Sequence, residues 1–253
     1  DQAMIIGAHP DLKSNSLSKS ASSLVDGIEA VNADAQWRNS PKINLIQSIM
    51  LYPFSNYSMN LLPNYPSKPM AMWKENLAKR DDNYIMIGSA DAHSKIDLYK
   101  SSFWKFPPYG KLFEMIQTHV ITKTGLIGEY THDARLIYTA LRSGNSFISF
   151  ENYGETKGFE FSVEDGDSWK SIGEFIDKRG LRNLKVSVPS TNDVRVYIKT
   201  PDKTILVQDT PEVLMNIKDK GKYFVEVFQL RNSLTSGGMV EIPWIITNAI
   251  HIR

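Results

Sequence analysis

The period of the apolar pattern changes near Glu151, and this change restricts the fold more than any other feature of the chain. After it, segments such as 184–188 and 194–199 alternate apolar and polar residues, as strands do when they bury one face. Turn signals such as Pro201-Asp202 lie between such segments. The pattern predicts a small antiparallel β-sandwich domain over residues 156–253.

Before this point, short apolar runs alternate with helical patterns. The run 84–87 predicts a buried strand, and the segment 69–80 before it places apolar residues at helical spacing. A second helix is predicted over 133–142, with Asp133 as its N-cap and Gly144 just past its end. Strands alternating with helices are typical of α/β units, so residues 1–155 are predicted to form a separate α/β domain.

Potential ligands follow two of the predicted strands. His9 follows the short run 3–6, and Asp91 and His93 follow the run 84–87. Side chains two residues apart on an extended backbone project to the same side, so Asp91 and His93 can converge. A carboxylate and an imidazole aimed at one point suit a divalent metal ion or an acid/base pair. Glu29 and Asn32, on a third predicted strand, either face the same site or lie on the surface.

Composition excludes several classes of protein. The 29 basic and 28 acidic residues are scattered and nearly cancel, so no nucleic-acid partner is expected. No apolar run reaches the roughly 20 residues that span a bilayer, so the chain is predicted to be soluble, without a membrane partner, and either cytoplasmic or exported. The absence of cysteine excludes disulfides and thiolate chemistry. Serine-hydrolase, P-loop and dinucleotide motifs are also absent from the sequence.

Several motifs resemble those of one known family. The segment 88–94, Gly-Ser-Ala-Asp-Ala-His-Ser, resembles the G-S-D-A-H-[SA] motif of the PHP (polymerase and histidinol phosphatase) superfamily, and residues 8–10 resemble its A-H-P motif. The segment 243–250 is similar to the tail of family members that carry a C-terminal β-sandwich. The resemblance implies an α/β fold in which residues 1–155 form part of a distorted (β/α)₇ TIM-like barrel, followed by the β-sandwich.

The resemblance also implies a function. Family members hold two or three metal ions, and many hydrolyse phosphate esters, so the expected activity is that of a metal-dependent phosphoesterase with a small-molecule phosphate ester as substrate. The expected cofactors are divalent ions of Mn, Fe or Zn. By resemblance, His9, Asp91 and His93 would be metal ligands, and Arg142 would shape the substrate side.

The sequence departs from the family pattern in two places. None of its five histidines forms the family's opening H-x-H pair, and Ala90 is an extra residue before Asp91. Three side chains hold one ion at most, so this chain is expected to carry only part of the metal site. Because it begins almost inside a predicted strand, we expect it to be the C-terminal portion of a longer protein.

Two other functions remain open at this stage. The chain is alternatively a catalytically inactive binding protein that recognises a glycan or protein surface through its β-sandwich and the aromatic segment 52–65. A metal-dependent hydrolase of an ester, amide or carbamate is the other possibility, because the same metal chemistry serves all of these substrates.

Overall fold

The structure is a computed structural model that describes residues 3–10, 17–52, 58–62, 64–93, 96–97, 105–106, 109–177, 180–190, 193–232 and 238–253. The helices are α1 (Lys19–Ser22), α2 (Ala33–Asn39), α3 (Lys42–Leu51), α4 (Ser67–Lys79), α5 (Tyr109–Met115) and α6 (Tyr130–Arg142), with short 3₁₀ helices at Ser58–Leu61 and Glu151–Tyr153. The strands are β1 (Ile6–Gly7), β2 (Gly27–Asn32), β3 (Ile85–Ser89), β4 (Ile96–Asp97), β5 (Lys105–Phe106), β6 (Gln117–Val120), β7 (Ser146–Ser149), β8 (Glu160–Asp165), β9 (Ser168–Ser171), β10 (Phe175–Ile176), β11 (Arg182–Ser187), β12 (Val194–Lys199), β13 (Thr204–Gln208), β14 (Glu212–Ile217), β15 (Gly221–Asn232), β16 (Met239–Thr247) and β17 (Ile250–Ile252).

A three-stranded parallel sheet, in the order β1-β2-β3, carries the residues of interest. Gly27 of β2 pairs with Ile6 on one side and Ile85 on the other, and a Cβ atom on Gly27 would lie 2.3 Å from the Ile85 carbonyl oxygen. Helix α4 covers β2, and its buried Trp73 donates to the Tyr84 carbonyl at 2.7 Å. Because the three strands are parallel, their carboxyl ends meet at one edge of the sheet.

Two further sheets, antiparallel except for the pair β10–β17, contribute most of the remaining strands to the core. One has four strands in the order β14-β11-β8-β9, and the other contains the path β10-β17-β15-β16-β7-β6 with β12 and β13 attached to β15. Strands β11 and β12 alternate buried and half-buried residues along their whole length. The strands predicted from the period-2 pattern are therefore confirmed, since each buries one face in the core.

The predicted α/β class, with part of a TIM-like barrel over residues 1–155, is wrong, because most strands in the described residues pair antiparallel. Within the described residues, β1, β2 and β3 form an open sheet, and β6 and β7 do not extend it as parallel strands. Instead, β6 pairs antiparallel with β7, and β7 pairs antiparallel with β16 of the large sheet. The predicted boundary near residue 155 stays a prediction, but strands from both sides of it share this sheet.

Within the ranges that the structure describes, side chains and not a further parallel strand satisfy the outer edge of β3. The Asn248 side-chain amide accepts from the Met86 N–H at 2.8 Å and donates to the Met86 carbonyl at 3.0 Å. The Thr118 hydroxyl accepts from the Gly88 N–H at 2.8 Å and donates to the Gly88 carbonyl at 2.7 Å. These bonds replace the ladder that a barrel strand would provide, so the parallel sheet ends at β3.

Other sequence predictions have mixed outcomes. The helix predicted over 69–80 is confirmed as α4. Helix α6 begins at Tyr130 with Glu129 as its N-cap, so the prediction of Asp133 as the cap is wrong. Part of the aromatic segment 52–65 lies outside the described residues. No helix in the described ranges is both long and apolar enough to cross a bilayer.

Candidate metal centre

The candidate site lies at the carboxyl ends of the three parallel strands. His9 follows β1, Asn32 is the last residue of β2, and Asp91 follows β3. The structure brings Glu29 and His93 to the same place. All five of these residues were proposed from sequence, and the parallel sheet explains why residues distant in the chain meet here.

Glu29 is the buried centre of this group, with 7 % of its surface exposed. Its Oε2 atom accepts from the His9 backbone N–H at 2.9 Å, and its Oε1 atom accepts from Asn32 Nδ2 at 3.0 Å and from the Ser89 hydroxyl. Asn32 Nδ2 also lies 3.2 Å from Asp91 Oδ2. These contacts join all three strand ends into one hydrogen-bonded network.

A second group of ligand atoms adjoins this network. One atom from each of Asp34, Asp91 and His93 lies within 4.8 Å of the other two. His93 Nδ1 is 3.4 Å from Asp91 Oδ1 and 2.6 Å from the Asp91 carbonyl oxygen. Asp34 is buried, Asp91 is half-buried and His93 is exposed, so the group runs from the interior to solvent. His9 adjoins it, with Nδ1 3.8 Å from Asp91 Oδ2.

The pocket beside Asp34, Asp91 and His93 has an apolar wall. The residues that complete its lining are Ala33, Trp37, Leu112 and Met115. Apolar walls lower the local polarity around charged ligands and so strengthen their electrostatic interactions with a bound cation.

The backbone is strained at two positions in this site. Among the described residues other than glycine, only His9 (φ 53°) and Asp91 (φ 38°) have positive φ. Each costs conformational energy on the order of 1–3 kcal/mol, and such residues cluster at functional sites. Here both directly follow parallel strands and both turn a potential ligand toward the same region.

The donor set fits a divalent transition metal. Two carboxylates and one imidazole supply the oxygen and nitrogen ligands that Mn, Fe and Zn accept. Three protein ligands leave coordination positions open for water or substrate. Two carboxylates held this close repel each other, and a cation between them would relieve that repulsion. Arg38 also pairs with Asp34.

Asp34 is the residue that sequence reasoning missed. It lies in the first turn of α2, whose N-cap is Asn32: the Asn32 Oδ1 atom accepts from the Ala35 N–H at 2.8 Å. A helix that begins directly at a strand end places its first turn beside the neighbouring strand ends. The sequence Asn-Ala-Asp at 32–34 could have identified Asp34. An N-cap residue followed two positions later by an acid predicts an acidic side chain in the first turn of a helix.

The structure does not bring Arg142 to this site. Arg142 is the last residue of α6, and the carbonyl of the next residue, Ser143, accepts from Asn83 Nδ2 at 2.6 Å. Asn83 precedes β3, whereas Asp91 follows it. Arg142 therefore lies toward the amino end of the parallel sheet, opposite the candidate site.

A separate polar cluster surrounds Glu151. Its Oε1 atom accepts from His119 Nε2 at 3.0 Å, from Ser149 Oγ at 2.8 Å and from the Thr156 hydroxyl. Burial alone would raise the pKa of Glu151, but these hydrogen bonds outweigh it and lower the pKa. Ser149 is fully buried, so it cannot meet a substrate as a nucleophile, and the cluster is a structural one.

Comparison with known proteins gave no match among family models, curated proteins or solved structures. Function is therefore inferred from the geometry of the site and from the sequence motifs.

Proposed function

We propose that the chain binds a divalent ion of Mn, Fe or Zn through Asp34, Asp91 and His93, and that it is a metal-dependent hydrolase of small phosphate esters. The observation that carries the proposal is the convergence of these three ligand atoms within 4.8 Å at the carboxyl ends of parallel strands. The motif at 88–94 supports a relationship to the PHP superfamily, without the barrel of that family.

Each residue has a defined part in this proposal. A divalent ion at the site would lower the pKa of a coordinated water and so supply a nucleophile near neutral pH. Asp34 and Asp91 would hold the cation with their carboxylates, and His93 would add a nitrogen ligand from the exposed side. His9, whose Nδ1 lies 3.8 Å from Asp91 Oδ2, would serve as the general base beside the ligands. The apolar wall of Trp37, Leu112 and Met115 limits access of bulk water.

A metal titration with an activity assay tests the proposal. Purified protein is stripped of metal and reloaded separately with Mn²⁺, Fe²⁺ or Zn²⁺, and hydrolysis of p-nitrophenyl phosphate is measured. Asp91→Asn and His93→Gln should each weaken metal binding at least about tenfold and lower hydrolysis in parallel. The matched control is His132→Gln, because His132 is exposed and its ring pairs with the adjacent Asp133. If the wild type binds none of these metals and Asp91→Asn leaves hydrolysis unchanged, the proposal is wrong.

Assays with other substrates test the substrate class in this proposal. Carboxyl ester, amide and carbamate substrates use the same activated water, so the loaded protein is tested on one of each. If the loaded protein hydrolyses one of these substrates but not the phosphate ester, the metal site stands and the phosphoesterase assignment is wrong. Stoichiometric metal binding without turnover of any substrate would support the role of a binding protein.

A further inference from the structure

Strand β14 lies at the edge of the four-stranded sheet and, among the described strands, pairs with β11 alone. Just before β14 begins, the Val188 N–H donates to the Pro211 carbonyl at 2.9 Å. Residues 188 and 211 continue the register of the two strands, so they form a hydrogen-bonded pair, and such pairs alternate with non-bonded ones along antiparallel strands. Every second residue of β14 therefore directs its N–H and C=O groups away from β11.

The residues that direct their backbone groups outward are Glu212, Leu214 and Asn216. All three are exposed, and Leu214 has 70 % of its surface exposed. The Thr210 hydroxyl lies 3.3 Å from both the nitrogen and the carbonyl oxygen of Glu212. In the part of the chain that the structure describes, no side chain covers the backbone groups of Leu214 and Asn216 in this way. Such a row of open groups is a template for another strand.

Strand β14 also lacks the features that normally block an edge. It spans six residues without proline or lysine, and its register with β11 is unbroken. Two other outer strands differ from it: the register of β13 shifts against β12, and β9 has four residues, one of which is Lys170. Because bulges and lysines hinder edge pairing, β14 is the best suited of these three strands to accept a partner.

The charges at the two ends of β14 match those of a second copy of the chain. Glu212 is exposed at the start of the strand, and Lys218 is exposed directly after its end. When two copies pair antiparallel about Met215, Glu212 of each copy lies opposite Lys218 of the other, on one face of the sheet. Centring the pair on Leu214 instead would place Glu212 opposite the uncharged Asn216.

The register about Met215 also matches the apolar face. Val213 and Ile217, which are both buried, lie opposite each other across the pair. Leu214 of each copy lies opposite Asn216 of the other, and their open N–H and C=O groups exchange hydrogen bonds in both directions. Centring the pair on Asn216 would place Val213 opposite the charged Asp219.

We propose that β14 is a self-association surface, through which two copies of the chain pair antiparallel about Met215 and join their four-stranded sheets into one. In this mode of recognition, backbone hydrogen bonds supply affinity and the facing side chains set the register. The contact is much smaller than the roughly 1,600 Å² of a stable interface, so the dimer dissociates on dilution. The dimer does not rest on the proposed function, since no residue of the candidate metal centre takes part.

Sedimentation velocity of the metal-free wild type from about 5 µM to about 500 µM, a range suited to weak complexes, tests for the dimer. The sedimentation coefficient should rise with concentration toward the value of a dimer. Amide exchange at Leu214 and Asn216 should slow at the higher concentration, whereas exchange at Val213, already bonded to β11, should not change. A wild type that stays monomeric would overturn the proposal, even if its edge bound another polypeptide. A dimer without slower exchange at Leu214 would overturn it too.

Charge reversal tests the identity of the partner and the register. Glu212→Lys and Lys218→Glu each place like charges opposite each other at both ends of the pair, so each should weaken the dimer about tenfold or more. The double variant Glu212→Lys/Lys218→Glu restores opposite charges and should restore the affinity. The matched control is Lys220→Glu, which this register places opposite the uncharged Thr210 and which should dimerise like the wild type. Equal affinity in all variants, or no recovery in the double variant, would contradict the register.

A proline in the strand tests the backbone pairing. The Leu214 N–H points away from β11, so Leu214→Pro removes no hydrogen bond within the sheet but blocks the edge. This variant should be monomeric at every concentration. Dimerisation of folded Leu214→Pro with wild-type affinity would overturn the proposal, and if the variant does not fold, the charge-reversal series decides it.

Discussion

Arg38 donates through its Nε atom to the carboxylate of Asp34, one helical turn before it on α2. The guanidinium thus contacts the acid that is closest to the interior among the three candidate ligands. The Arg38 side chain is 51 % exposed, so it can move into solvent when a metal ion takes its place. Arg38 therefore competes with a cation for Asp34.

Removing this competitor should tighten metal binding. In Arg38→Gln, a metal ion no longer has to displace a guanidinium, and an exposed ion pair contributes up to about 1 kcal/mol. The expected gain in Zn²⁺ or Mn²⁺ affinity is therefore up to about fivefold, measured by calorimetric titration. Arg195→Gln, which removes a partly exposed arginine paired with Asp209 and Glu241, is the control and should not change affinity. Weaker binding in Arg38→Gln would contradict the assignment of Asp34 as a ligand.

Glu226 should be a major source of stability. It is fully buried on β15, with Oε2 2.5 Å from Lys199 Nζ and Oε1 3.1 Å from Lys74 Nζ on α4. Glu226→Gln removes the charge that compensates both lysines, which should lower the free energy of unfolding by about 3 kcal/mol. Urea denaturation measures the change.

The control for that substitution is Glu241→Gln. Glu241 is a partly exposed carboxylate that pairs with Arg195, so its loss should cost less than about 1 kcal/mol. Equal effects of the two substitutions would show that burial does not set the strength of the Glu226 network.

His251 predicts a pH dependence of stability. Burial, with smaller contributions from Lys222 and Arg253, lowers the pKa of His251 to about 4, against about 6.5 in an unfolded chain. Between these values the unfolded chain binds a proton that the folded protein does not. The contribution of neutral, buried His251 to the free energy of unfolding is therefore complete above pH 6.5 and is lost as the pH falls toward 4.

A variant that lacks only His251 isolates this contribution. Between pH 7 and pH 5, His251→Phe should lose on the order of 2 kcal/mol less unfolding free energy than the wild type does. His132→Gln, at an exposed histidine, should follow the wild type. If all three proteins show the same change with pH in urea denaturation, burial of neutral His251 is not the cause.

Asn248 should be needed to close the edge of β3. In Asn248→Ala, the buried N–H and carbonyl of Met86 lose their partners, and each unsatisfied group costs about 1–3 kcal/mol. The expected loss of unfolding free energy is therefore about 2–5 kcal/mol, with faster amide exchange at Met86. As a control, Asn183→Ala removes a partly buried amide that binds Glu164 and should cost less. Unchanged exchange at Met86 would contradict the edge-closing role.

Individual helices and strands were predictable because the spacing of apolar residues within each segment indicates its type. Alternation along β11 and β12 and the helical spacing in α4 follow directly from which face each element buries. The barrel was not predictable, because the number of parallel strands depends on what covers the outer edge of β3. Asn248, which covers it, is 162 positions away from Met86 in the chain.

The candidate site was partly predictable, because three of its residues follow predicted strands directly in the sequence. Placing His9, Asp91 and His93 after strands was enough to expect them at one sheet edge, and the structure brings them there. Asp34 was missed because it belongs to a helix, where no strand-end pattern applies. Arg142 came from family resemblance alone, and no local pattern tied it to the strand ends.

Equilibrium dialysis against Zn²⁺ tests the central claim most directly, with wild type, Asp34→Asn and Asp209→Asn compared. Asp209 is exposed and pairs with Arg195, so its substitution is a matched control. The metal site predicts about one ion per chain in the wild type and in Asp209→Asn, and at least about tenfold weaker binding in Asp34→Asn. No bound ion in the wild type, or equal affinity in Asp34→Asn, would contradict it.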